Sequence, residues 1–271
     1  MYKRQLELRG QAPELTAANA LTGRRPLHRA KVWRWSLASL AAALALSVVG
    51  LILWLPGAWP VWFSDYHTNS GEQQTVQMAD GSQIFLNVET AIAVDFSSER
   101  REVELLHGEA FFEVAPDPHR PFRVRARAGV ITAQGTAFTV RIQRDEVTVA
   151  VTEGAVSVSP GLSGSVTSPL EAGWQASYRG GQMAPAHRAH LLRLLAWRRG
   201  QLVFQMQPLG EVIEEVSRYG AGTIVIANPW LRDLVVSGVF DIATPDRVLD
   251  AVEKTLQVRR LRVTGRLTFL Y

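Results

Sequence analysis

The stretch Thr75–Val88, "TVQMADGSQIFLNV", decides the reading of the fold. Asp80-Gly81 is a dipeptide that a tight hairpin favours, because it tolerates positive φ at the turn. Beyond it Ile84, Leu86 and Val88 recur at a spacing of two, which lines them up on one face of a strand. Similar alternating runs follow in "REVELLHGEAFFEV", "PFRVRARAGVITAQGTAFTVRI" and "EVTVAVTEGAVSVS". Leu106-His107-Gly108-Glu109, Arg127-Ala128-Gly129 and Thr152-Glu153-Gly154 read as the turns between them. The pattern predicts an all-β domain over residues 64–180, and its spacing fits a sandwich and a solenoid-like winding equally.

Downstream, "YRGGQMAPAHRAH" breaks the alternation, so residues 181–200 read as a linker. A different pattern then occupies residues 201–271. "QLVFQM" is a strand, and Pro208 opens a helix whose stripe Leu209, Val212, Ile213 and Val216 stops at Gly220. "TIVIA" and "LVVSGVF" are strands, and a second helix starts at Thr244-Pro245-Asp246 with Thr244 as its cap. A hairpin across Thr264-Gly265 closes the chain. The expected order is βαββαββ, with two helices on one face of a sheet, so the chain is mainly β with a C-terminal α+β module. Edge strands in such a module offer pairing to a partner; Leu234, Val236 and Val239 on one strand and Arg260 and Arg262 on the last hairpin are the expected contact residues.

At the other end of the sequence, Trp35–Ser64 carries no charge, long enough to cross the roughly 30 Å of a bilayer core as a helix. Tryptophans cluster toward both ends of this run. Residues 1–34 hold eight basic and two acidic side chains, so the reading is a short basic cytoplasmic segment, a transmembrane helix with its flanks over residues 35–63, and the rest of the chain outside the cytoplasm. The apolar run ends in "LPGAWPVW", which is not a signal-peptide cleavage site. Setting those 34 residues aside leaves 21 basic against 23 acidic side chains, so the overall net charge of +4 is mostly topological and no nucleic-acid partner is expected.

Chemistry is sparse. There is no cysteine, phosphate-binding loop, dinucleotide fingerprint, nucleophile elbow or zinc-protease motif. His107, Glu109 and Glu113 in "HGEAFFE" are the nearest approach to a metal site, and a turn followed by a solvated face explains them more simply. The expectation is a protein that is not an enzyme and has no cofactor or metal.

The segments "VQMADGSQIFLNVETAIAV", "GEAFFEVAPDPHRPFRVRA", "GTAFTV" and "VAVTEGAVSV" resemble the FecR family of membrane-anchored anti-sigma factors and signal relays. The tail "WRRGQLVFQMQPLGEVIEEVSRYGAGTIVIANPWLRDLVVSGVFDIATPDRVLDAVEKTLQV" is similar to the family's C-terminal module, itself similar to the short signalling domain of secretins and TonB-dependent receptors. The resemblance implies a single-pass inner-membrane protein with a cytoplasmic N-terminus and a periplasmic C-terminus. It also implies two partners: the signalling domain of a TonB-dependent outer-membrane receptor, usually one for a ferric siderophore, and an extracytoplasmic-function (ECF) sigma factor. A membrane-tethered structural module docking on a secretin-like assembly is the alternative. The family's longer helical cytoplasmic region is not matched by the 34 residues ahead of the span, so either the N-terminus is truncated, which is the favoured expectation, or the sigma-binding part has been lost; the sigma-factor partner is expected where that region is complete. Some family members cleave themselves at a Gly–Thr bond, and Gly135-Thr136 stands in the matching position.

Overall fold

The computed structural model describes residues 63–161, 169–264 and 267–271, together with Ala43, Leu44 and Ser47, which are helical. The expected cytoplasmic segment and most of the expected membrane span lie outside the described residues. Among those described, no helix is long and apolar enough to cross a membrane.

Fourteen strands form the first module: β1 Tyr66–His67, β2 Gln74–Gln77, β3 Gln83–Leu86, β4 Ala91–Phe96, β5 Arg101–Glu113, β6 Phe122–Ala126, β7 Gly129–Ala133, β8 Ala137–Gln143, β9 Glu146–Glu153, β10 Ala155–Ser159, β11 Leu170–Glu171, β12 Trp174–Arg179, β13 Gln182–Met183 and β14 His187–Arg188. They make one continuous sheet, with the order β11-β10-β7-β6-β5-β8-β9-β12-β13 along its main path. The sheet curls over a single core in which Phe112 and Phe138 from one half stack at 5.1 Å and Phe122 from the other half meets Phe112 edge-on.

The hairpin at Asp80-Gly81 forms as its sequence dictates. Gly81 adopts φ +88, β2 pairs with β3, and the Asp80 carboxylate accepts the Ser82 N–H and hydroxyl. The turn expected at Leu106–Glu109 is not there: Arg101–Glu113 is one thirteen-residue strand. Its first seven residues pair with β4 and its last six with β8, and Gly108, at φ +88, is the corner between the two halves of the sheet. A Cβ at Gly108 would lie 2.4 Å from the Glu89 carbonyl oxygen, so only glycine fits. Gly135 and Gly154, also at positive φ, sit at two further crossings between the halves, β7 to β8 and β9 to β10.

The segment 181–200 holds β13 and β14, which extend the sheet of the first module, then the short helix α1 (Leu191–Leu194) and a 3₁₀ turn, Ala196–Arg199. Trp197 from that turn is buried in the core of the second module.

That module runs β15 Gln201–Pro208, α2 Leu209–Val216, β16 Thr223–Ile226, β17 Val235–Asp241, α3 Asp246–Leu256, β18 Arg260–Thr264 and β19 Leu267–Leu270. Pro208 precedes α2, and Leu209, Val212, Ile213 and Val216 are all buried, as the 3.6-residue stripe requires. The expected single sheet is instead two, β15-β17 and β16-β19-β18, and α2 and α3 lie between them. α2 packs on β15 and β17 and also on β16, while α3 packs its apolar stripe near β17 and meets β18 through ion pairs. Thr244 does not cap α3; its hydroxyl is buried without a hydrogen bond, and the helix opens instead on backbone bonds from Arg247 and Val248 to Thr244 and Pro245. β18 and β19 pair antiparallel, and residues 265–266, which include Gly265 of the expected hairpin turn, lie outside those described.

Candidate functional site

The densest polar chemistry lies where the two modules meet. β3 delivers Asn87 and Val88 just past its end, the corner of β5 delivers Glu109 and Phe111, and β8 delivers Arg141 directly across the ladder from Glu109. From the second module, α2 contributes Glu214 and Glu215, and the turn after it contributes Arg218 and Tyr219.

Arg141 reaches Glu215 through a short hydrogen bond and Glu109 at 3.8 Å. Arg218 bridges Glu215 at 3.3 Å, Glu89 at 3.3 Å and the Val88 carbonyl at 2.9 Å. Asn87 is the neutral hub: its amide donates to Glu109 at 3.0 Å, while its carbonyl oxygen accepts from the Tyr219 hydroxyl and the Gln73 amide. Farther along the same seam Arg198 lies between the rings of Phe85 and Phe111, 4.1 and 3.9 Å from their centroids, and pairs with Glu113. Val88 and Phe111 are packed in the core of the second module, so the two modules share apolar contacts as well as charge.

The environment sets the ionisation of these groups. Burial pushes the Glu109 carboxyl up, against the opposing pull of Arg141 and with the repulsion of Glu215 added. Burial also acts to raise Glu215, but Arg141 and Arg218 outweigh it and hold its carboxyl below the ordinary value. Desolvation works against the charge of Arg141, and the two carboxylates overcome it, so this guanidinium is held firmly protonated. Tyr219 is raised by burial, then by Glu215 and Glu109, and therefore stays a hydrogen-bond donor.

The residues expected from sequence to contact partners are placed apart from this seam. Leu234 sits just ahead of β17 and its carbonyl accepts from the Leu209 N–H; Val236 is buried, and Val239 is exposed. Arg260 pairs with Asp250 and Glu253 and Arg262 with Asp246, so both arginines turn toward α3, while Leu261 and Val263 between and beyond them are exposed. Gly135 and Thr136 lie at the crossing from β7 to β8. Gly135 is at φ +71 against Pro116, and the Thr136 hydroxyl is buried with no hydrogen bond. His107 and Glu109 fall on opposite sides of the corner at Gly108, and Glu113 at the end of β5 pairs with Arg198, so these three residues form no common metal site. The junction itself escaped the sequence reading; the one usable signal was that Glu109 and Arg141 are charged residues inside strands whose neighbours are apolar.

Comparison with known proteins gives the same two segments. Residues 64–157 match the family described as FecR protein and residues 201–268 match the one described as FecR, C-terminal, which together span more than half of the chain. Crystal structures at 1.65 and 2.50 Å of a candidate anti-sigma factor from Parabacteroides distasonis ATCC 8503 are similar to this chain. Both are 28% identical to it and cover 76% of it and 97% of their own chain, with TM-scores of 0.65 and 0.64. None of the curated proteins compared matches the chain significantly.

Proposed function

Because the chain belongs to the FecR family, we propose that it is a transmembrane signalling regulator of the anti-sigma type. In this reading the two described modules lie in the periplasm, residues 35–63 anchor them in the inner membrane, and residues 1–34 face the cytoplasm. The signalling domain of a TonB-dependent outer-membrane receptor engages the tail module, and the change is passed to an ECF sigma factor.

The observation that carries the proposal is the pairing of both FecR segments in one body through a charged junction. A ligand moves an equilibrium only if it binds two states with different free energies. Here the second module packs on Val88 and Phe111, and Phe111 belongs to β5, the strand shared by both halves of the curled sheet. Whatever displaces the tail therefore acts on the central strand of the first module.

A reporter driven by the cognate sigma factor tests the relay in cells that carry the full chain. Expected is a change in reporter output on receptor stimulation that disappears when Arg141 and Arg218 are both replaced by alanine in a protein still present at normal abundance. Unaltered signalling by that variant, or a tail that captures secretin domains and no receptor signalling domain, would favour the tethered structural module.

A further inference from the structure

Every strand edge that a sheet leaves open is a template for another chain, and proteins usually blunt such edges with charge, proline or a bulge. Three edge strands of the second module carry such features. β15 has a bulge around Met206, which adopts φ +51, and ends at Pro208. β17 carries Gly238 and ends at Asp241. β18 carries Arg260 and Arg262. β16 is different: Thr223–Ile226 reads TIVI, without charge, proline or glycine, and it pairs in unbroken parallel register with β19 alone.

The register identifies which backbone groups are open. The Ala227 N–H donates to the Leu270 carbonyl, so by alternation Ile224 and Ile226 turn their N–H and C=O away from β19. Neither residue has another backbone partner among the described residues. Beside this edge lies a groove of about 640 Å³, with Gly210, Ile213 and Ser217 on its helical wall and β16 on the other. Most charges around the groove are already neutralised: Glu214 by Arg144, and Glu89 and Arg218 by each other. Arg232, on the rim, is exposed and has no ion pair among the described residues.

We propose that this groove takes an extended segment of a partner polypeptide, which adds a strand to β16 and places an acidic side chain at Arg232. Main-chain bonds to Ile224 and Ile226 hold the segment, its alternate side chains meet α2, and Arg232 sets its direction. With four residues on the edge the ladder is short, so affinity in the micromolar range is expected. The inference rests on the regulator reading only in that it supplies a partner face, and the sigma-dependent reporter tests that reading separately.

The test is selection of a displayed library of linear peptides on the full chain in nanodiscs, followed by titration of the enriched peptides as synthetic probes. Expected are extended acidic sequences that lose about tenfold in affinity when alternate peptide amides are N-methylated, which removes ladder bonds without touching the protein. Arg232→Glu should reverse the charge preference of the selected peptides, and Ile224→Pro should abolish binding. No enrichment over empty nanodiscs, binding indifferent to N-methylation and to Arg232→Glu, or occupation of the edge by a second copy of the chain seen as a concentration-dependent dimer would each overturn the proposal.

Discussion

Arg101 is a charge almost completely removed from water, and its partners explain how it stays there. Its guanidinium meets the Asp80 carboxylate at 2.8 Å and donates to the carbonyls of Ala115, Asp117 and Arg120, which ties the first hairpin to the loop ahead of β6. Hydrogen bonds from Ser82 and from Arg101 overcome the cost of burial and keep the Asp80 carboxyl below the ordinary value. Removing one member of such a pair strands the other, so Arg101→Ala should lower unfolding free energy by about 3–5 kcal/mol, measured by chemical denaturation. Arg101→Met, which fills the same space, should still leave Asp80 stranded; a loss below about 1 kcal/mol in both variants would show that water replaces the guanidinium. Thr136 presents the opposite case, a buried hydroxyl with nothing to bond. Self-cleavage would use it: the Thr136 oxygen attacks the Gly135 carbonyl carbon, the C–N bond breaks as the hydroxyl proton passes to the nitrogen, and water hydrolyses the resulting ester. Expected are two fragments split after Gly135 in the purified protein, retained in Thr136→Ser and absent in Thr136→Val. Thr136→Val should also fold at least as stably, since no hydrogen bond is lost. Mass spectrometry showing one intact chain for all three removes the reaction.

At the scale of the element, β5 is the member on which the first module turns. It passes from one half of the sheet to the other at Gly108, where a side chain would strike Glu89 and Thr90 and the backbone would be held at φ +88. Gly108→Ala should therefore cost about 2–4 kcal/mol, whereas Gly180→Ala, at positive φ but in open space, should cost no more than about 1 kcal/mol. Equal losses in thermal denaturation would mean that the contact at the corner relaxes. The same strand shows what the sequence could and could not convey. Its alternation, the hairpin at Asp80-Gly81 and the stripe of α2 are local properties, and each was legible. Gly108 was read as a turn because positive φ serves a turn and a corner alike, and only the pairing of β5 with both β4 and β8 tells them apart. The two sheets around α2 and α3 were read as one because periodicity reports that a strand has an inner face without reporting what lies against it. Arg260 and Arg262 alternate as an exposed row would, and their carboxylate partners on α3 are set by packing.

Across the whole molecule, the junction sets opposing charges against burial, which makes its stability depend on pH in a way that can be separated residue by residue. Glu109 faces Arg141, Glu215 and Arg218, with Asn87 as its hydrogen-bond donor. Its carboxyl is raised in the folded chain, so the folded state binds more protons there than the unfolded state. The stability contributed by that site is full below the ordinary carboxylate value near 4.5 and is lost as pH rises through the elevated value. Glu215 runs the other way: its carboxyl is depressed, so its contribution is present above that same ordinary value and lost as pH falls through the depressed one. Glu109→Gln should accordingly flatten the decline in stability on the alkaline side and leave the acid limb intact. Glu215→Gln should remove the acid limb, and by leaving Arg141 without its shortest partner it should destabilise the neutral protein by about 3–5 kcal/mol. Denaturant midpoints followed by tryptophan fluorescence from about pH 4 to about pH 8 provide the measurement. Because Val88 and Phe111 lie in the core of the second module, both modules should unfold in one transition in the wild type and separate into two in Arg141→Ala. Identical pH profiles for the two glutamine variants, or two transitions already present in the wild type, would mean that the junction is a passive contact between modules that stand alone.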